Sequence, residues 1–235
     1  MQKDRISQML LLASGCCVLL VLARITYRYY TMPDVASWQA FVDARGVTYI
    51  FLIWNLILAW APFVAARRFD QLQTQRASAW VLAGVFVLWL LFLPNAPYIV
   101  TDFLHLKHKP PVPLWFDLAL LFSFAGTGLL LGLLSLHHMQ QALTARLSAR
   151  WAQWLIGGAI ALSGFGIWLG RFQRWNSWDI FTRPDALLAD LLSTLSSWPE
   201  LARAIGVSVL LSGIFWMGYG LLTALLDKNQ PSKAA

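Results

Sequence analysis

The chain has 235 residues, 58% hydrophobic and only 12% charged, where soluble domains run at about 45–50% and about 25%. So few charges cannot cover a water-facing surface, so the composition excludes a soluble protein and indicates one integral membrane domain over residues 1–235. The net charge of +7 comes from basic residues scattered between apolar runs, without the stripe or tail of a nucleic-acid binder.

A bilayer core needs roughly 20 apolar residues per helix. Six segments meet that requirement: 6–23, 47–66, 77–93, 114–136, 151–170 and 204–226. Their runs are unbroken and lack the alternation of a barrel strand, so they predict an all-α polytopic bundle of about six spans. Lys3 and Arg5 precede the first run as in a signal peptide, but the run is too long for a signal core and no small-x-small site follows it before Arg24. An uncleaved first span is the expectation. Cys16 and Cys17 are adjacent inside that span, which offers neither a disulfide framework nor a metal site.

The second span carries Asn55, read as a hydrogen bond between helices. The third ends at Pro94 and Pro97, which lack backbone donors and stop a helix, with Asn95 placed to bond the freed carbonyls. Asp117 falls about one turn inside the fourth span, where a carboxylate needs an Arg or polar partner. Gly128 and Gly132 in the fourth span, and Gly166 and Gly170 in the fifth, have the GxxxG spacing that lets helices approach closely, and they predict that these two spans pair. Trp80, Trp115, Trp151, Trp154 and Trp168 sit near span ends and read as interfacial anchors. After the fifth span, Thr182-Arg183-Pro184-Asp185 has capping-box spacing. Apolar residues then recur at helical spacing, predicting a short amphipathic helix on the membrane surface over about 184–198. Its polar face carries acids and serines, which does not indicate recognition of anionic lipid.

Lys and Arg are split nine to nine between the two sets of loops. One set is half the length of the other, and the denser set takes the cytoplasmic side. That places both termini in the cytoplasm.

Two polar-aromatic stretches interrupt the apolar background. One is Leu93-Pro94-Asn95-Ala96-Pro97-Tyr98-Ile99-Val100-Thr101-Asp102-Phe103-Leu104-His105-Leu106; the other is Gly170-Arg171-Phe172-Gln173-Arg174-Trp175-Asn176-Ser177-Trp178-Asp179. Two crossings separate them, so they share a membrane face, here the extracytoplasmic one. In these stretches the chain resembles the family catalogued as domain of unknown function 1361, over most of its length from about Tyr49. The resemblance implies a multi-spanning protein of the bacterial plasma membrane and carries no assigned activity.

Asp102 and His105 are spaced i, i+3, so on a helix they share a face, with His108 further round. A metal would take both as ligands and need a third, such as Asp179; hydrogen-bonded caps are the commoner use of such a pair. His137 and His138 lie across the bilayer from it. No metal and no cofactor is assigned. Arg171 and Arg174 share a helical face if the fifth helix continues, and their forks suit a carboxylate or phosphate. Asn95, Tyr98, Asp102, His105, Arg171, Arg174, Asn176 and Asp179 are therefore expected to form one polar cluster, with Asn55 and Asp117 as polar residues inside the membrane.

Three function classes fit these residues. A structural or accessory component would use them as a self-paired network, and a small-anion-binding or transport component would use Arg171, Arg174 and Asn95. A membrane enzyme acting on a lipid-linked or periplasmic substrate would use Asp102, His105 and Asp179, but no nucleophile motif, phosphate loop or full metal signature accompanies them. The partners implied are the lipid bilayer and either an anionic small molecule or another membrane protein, with no nucleic acid.

Overall fold

The computed structural model describes residues 2–31, 42 and 48–228. Its helices are α1 (Gln2–Thr31), α2 (Phe51–Thr74), α3 (Ala79–Phe92), α4 (Asn95–Tyr98), a 3-10 helix (Ile99–His105), α5 (Leu114–Thr144), α6 (Ala149–Phe172), α7 (Asp179–Thr182), α8 (Pro184–Ser196) and α9 (Trp198–Lys228). Among the described residues there is no strand beyond an isolated bridge between Lys109 and Val112. The fold is an all-α bundle.

Five stretches are long and apolar enough to cross a membrane: Arg5–Thr31, Ala79–His105, Leu114–Thr144, Ala149–Phe172 and Trp198–Leu226. The expected second span forms α2 but is not among them, because Asn55, Arg67, Arg68 and Asp70 dilute its apolar character. Its expected start at Val47 lies outside the described residues. Serine sets where α3 and α6 begin: Ser78 and Ser148 occupy the N-cap positions and accept from the backbone N–H groups of Val81 and Trp151. The expected capping box before α8 does not form. Arg183 takes the N-cap position with no side-chain bond, while the Thr182 hydroxyl bonds Asp179 Oδ1 at 3.2 Å. Pro184 still opens the helix, where its missing donor costs nothing.

The chain divides into two compact units, Met1–Trp60 with Ala96–Leu131, and Ala61–Asn95 with Gly132–Ala235. In the first, buried Leu10, Cys17 and Val21 form one stripe of α1, at the spacing of a helix face. Cys17 Sγ lies 3.5 Å from Thr127 Oγ1, and Arg24 reaches Asp117. Partner numbers fall along one helix as they rise along the other, so α1 and this part of α5 run antiparallel. Trp60 Nε1 donates to Ser14 on the same stripe at 3.0 Å. A side chain at Gly128 would sit 2.8 Å from Ile99 Cδ1 and 2.9 Å from the Ala96 carbonyl, so this glycine admits the chain of α4 and the 3-10 helix.

The second unit is built on α6 packed against α9. A methyl group at Gly164 would collide with the Ser208 carbonyl and Ser212, and one at Gly157 would lie 3.1 Å from the Trp216 ring. Ser212 Oγ donates to the carbonyls of Ile160 and Ala161, each at 3.3 Å. Gly166, expected to face the fourth span, meets the Pro94 ring, which would be 2.6 Å from an added methyl. One glycine of each GxxxG pair, Gly128 and Gly166, thus receives part of the segment that follows the third span, and the close helix approach falls to Gly164. Trp80, Trp115, Trp151 and Trp154 are exposed as anchors should be, but Trp168 is fully buried, because it shares the inward face of α6 with Ile160, Ser163, Gly164 and Ile167.

Candidate functional site

The motif residues fall into two polar centres, one in each unit. In the first, Asp102 is fully buried and accepts from Asn55 Nδ2 at 2.9 Å. The chain here is a 3-10 helix, whose three residues per turn stack i over i+3, so His105 lies above Asp102, with Nδ1 3.9 Å from Oδ1. The Tyr49 hydroxyl donates to the His105 carbonyl at 3.1 Å, and the Phe51 ring lies 5.1 Å from the imidazole. Tyr98, half-buried, closes the previous turn by accepting the Thr101 hydroxyl on its carbonyl at 2.6 Å. Asn55 therefore bonds another segment of its own unit, and its partner is a motif residue.

Below this lies the pair that the loop-charge reading of Arg24 missed. Arg24, read as the residue after a span ending at 23, is inside α1 and 1% exposed. Its Nε and Nη2 donate to the two oxygens of Asp117 at 2.5 and 2.9 Å. Nη1 donates to the Thr48 hydroxyl. Asp117 is 0% exposed and stands in the first turn of α5, where the helix dipole favours a carboxylate. A fork bonded on both tines is the strongest form of such a pair, and it explains how the helix carries an arginine past the expected end of its span. The signal was the spacing: Leu10, Ser14, Cys17, Val21, Arg24 and Arg28 continue one helical stripe. The Tyr49 ring lies under both Arg24, 4.8 Å from its centroid, and Lys109, at 4.6 Å.

The second centre is local. Asn95 behaves as the sequence suggests, donating to the Phe92 carbonyl at 3.0 Å, and it also reaches the Ser177 hydroxyl at 3.0 Å. Asp179, 3% exposed, accepts the Asn176 backbone N–H at 2.7 Å and its Nδ2 at 3.2 Å. Arg183 Nη2 lies 3.3 Å from its other oxygen. The backbone bond above all, with the Asn176 amide and Arg183 adding to it, holds the Asp179 carboxyl below its ordinary range against the opposing effect of desolvation. Arg183, absent from the expected site, is thus the cation on Asp179, and it stacks 4.9 Å from the Trp175 ring. Trp175 Nε1 in turn donates to Asp190 of α8 at 2.9 Å.

Arg171 occupies the last turn of α6, where its charge suits the helix C-terminus. The helix stops at Phe172, so Arg174 does not share a helical face with Arg171. It stands exposed, with a left-handed φ of 61°, a conformation uncommon for a side chain of this size. Among the described residues no three His, Cys, Asp or Glu side chains converge as a metal site.

The family model described as Protein of unknown function (DUF1361) matches residues 54–217, more than two thirds of the chain. No curated protein and no solved structure matches.

Proposed function

Given that the chain belongs to the family described as Protein of unknown function (DUF1361), we propose that this multi-pass membrane protein is a structural or accessory component of the bacterial plasma membrane. With α2 counted as a crossing, its termini are cytoplasmic and its polar motifs serve as hydrogen-bonded ties at the extracytoplasmic face. The observation that carries this reading is the saturation of Asp179 by Asn176, Thr182 and Arg183. A carboxylate bonded by that many donors is a weak base, fitted to hold the 173–183 turn in place and poorly fitted to take a proton from a substrate. The bond from Asn55 to Asp102 ties the first motif to α2 in the same way.

Replacing Asp179 by Ala should lower the thermal midpoint of the purified protein in detergent and reduce the amount inserted in the membrane; an unchanged midpoint overturns the structural role. Cysteine labelling tests the topology separately, with Ser177→Cys expected to react from outside the cell and Lys233→Cys only after permeabilisation. Labelling of both from one side overturns the assigned orientation.

A second reading, binding of a small anion at the second motif, is favoured by the exposed guanidinium of Arg174 on its left-handed backbone. Arg174→Lys keeps the charge and loses the fork, so anion binding should weaken while the fold is retained.

A further inference from the structure

The Arg24–Asp117 pair accounts for only one of the positive charges gathered at the end of α1. Both oxygens of Asp117 already accept from Arg24. One helical turn on, Arg28 is half-buried, and its Nε and Nη1 are shielded from solvent and find no hydrogen-bond partner among the described residues. Arg28 lies within the electrostatic reach of both Arg24 and Asp117. Lys109, in the segment between the 3-10 helix and α5, rests its ammonium on the Tyr49 ring. Burial first, and the positive charge of Arg24 next, hold that ammonium below its ordinary value, with Arg28 and Lys107 adding to the effect and Asp117 opposing it. Among the described residues here, Arg24, Arg28, Lys107 and Lys109 therefore face one carboxylate, and positive charge is in surplus in a partly desolvated place.

Such an arrangement is unfavourable by itself. Buried guanidinium N–H groups without acceptors cost more than bonded ones gain, and like charges out of water repel strongly. An oxyanion removes both penalties, because a phosphate oxygen can accept from a guanidinium fork while a lysine supplies a point charge beside it. The position suits it, since the C-terminal end of the first candidate span, the segment before α5 and the N-terminus of α5 meet there.

We propose that Arg28 and Lys109, braced by the Arg24–Asp117 pair and the Tyr49 ring, form a binding site for a phosphate-class oxyanion at the membrane surface. The site adjoins the first motif, because the Tyr49 hydroxyl also donates to the His105 carbonyl, and it does not depend on the motifs' being structural. Arg28 supplies the fork and Lys109 the second charge, while Arg24 is a positioning residue fixed by Asp117 and Thr48. The phosphate belongs either to a free anion or to the headgroup of an anionic lipid.

The test uses the full-length chain in nanodiscs, as wild type, Arg28→Gln and Lys109→Gln. In one arm the discs are phosphatidylcholine, and inorganic phosphate is titrated against chloride at matched ionic strength, with the thermal midpoint as the readout. In the other, phosphatidylglycerol replaces part of the phosphatidylcholine without added phosphate, and retained lipid is counted by native mass spectrometry alongside the midpoint. A free-anion site gives a wild-type response in the first arm, and a headgroup site gives one in the second. In either case both variants should weaken the response about tenfold or more, the loss expected for a charge-assisted hydrogen bond. If Arg28→Gln does not fold, as judged by helical content and monodispersity, Lys109→Gln decides the matter, because Lys109 lies outside the helices. Absence of a wild-type response in both arms overturns the proposal, as does a folded variant responding like the wild type.

Discussion

Asp117 and Asp179 are both buried carboxylates paired with arginine, but the chain brings their partners from different distances. Asp117 is held by Arg24, 93 residues away, in a fork bonded on both tines. Asp179 is held by Asn176, Thr182 and Arg183, all within four residues. The first pair closes only when α1 and α5 are packed, so its bonds report on tertiary assembly. The second closes a turn and asks little of the rest of the protein. Asp102 stands between them, taking one partner from 47 residues away and the other from the next turn of its own helix.

This contrast ranks the expected effects of mutation. Asp117→Ala leaves the Arg24 guanidinium buried without its counter-charge, a loss of about 3–5 kcal/mol, and thermal unfolding in detergent should show the largest drop of any single change discussed. Replacing Arg24 and Asp117 together by leucine should recover most of that loss, because no uncompensated charge remains. If Asp117→Ala costs no more than Asp179→Ala, the distinction between assembled and local pairs fails.

Asn55→Leu removes one of the partners of buried Asp102 and should cost about 1–3 kcal/mol, the penalty for an under-bonded buried group. The intermediate standing of Asp102 predicts an effect smaller than that of Asp117→Ala, read by the same melts. Asn95→Ala probes the long tie in the second unit, from Asn95 to Ser177, and should cost about 1 kcal/mol. Because Ser177 shares one of the Asn95 bonds, Ser177→Ala added to Asn95→Ala should cost little more than Asn95→Ala alone.

The smallest effect is expected from titration of Asp179. Its folded carboxyl is held below the ordinary range, so its bonds stabilise the protein fully above the unfolded carboxylate value of about 3.9. That contribution is lost as the pH falls through the lower, folded value. Melts taken from pH 6 down to pH 3 should be steeper for the wild type than for Asp179→Asn; parallel curves would show that the Asp179 charge does not add to stability.

Much of the helical layout was legible in the chain because lipid leaves so few choices. A run of apolar residues with no water to satisfy its backbone must be a helix, and the cores of 114–136, 151–170 and 204–226 all lie within longer observed helices. The proline stop before Asn95 was legible for an equally local reason, a missing donor at Pro94 and Pro97. What the sequence alone could not assign were partners. The spacing of Leu10, Cys17, Val21, Arg24 and Arg28 marks one face of a helix, but a stripe does not say what it faces. Only packing shows that Asp117 neutralises Arg24, that Gly166 receives Pro94, and that Trp168 turns inward. Helix formation is decided by bonds between neighbours in the chain and by the solvent around them. Pairing of buried charges and small residues is decided by which surfaces come together, and that depends on the tertiary structure as a whole.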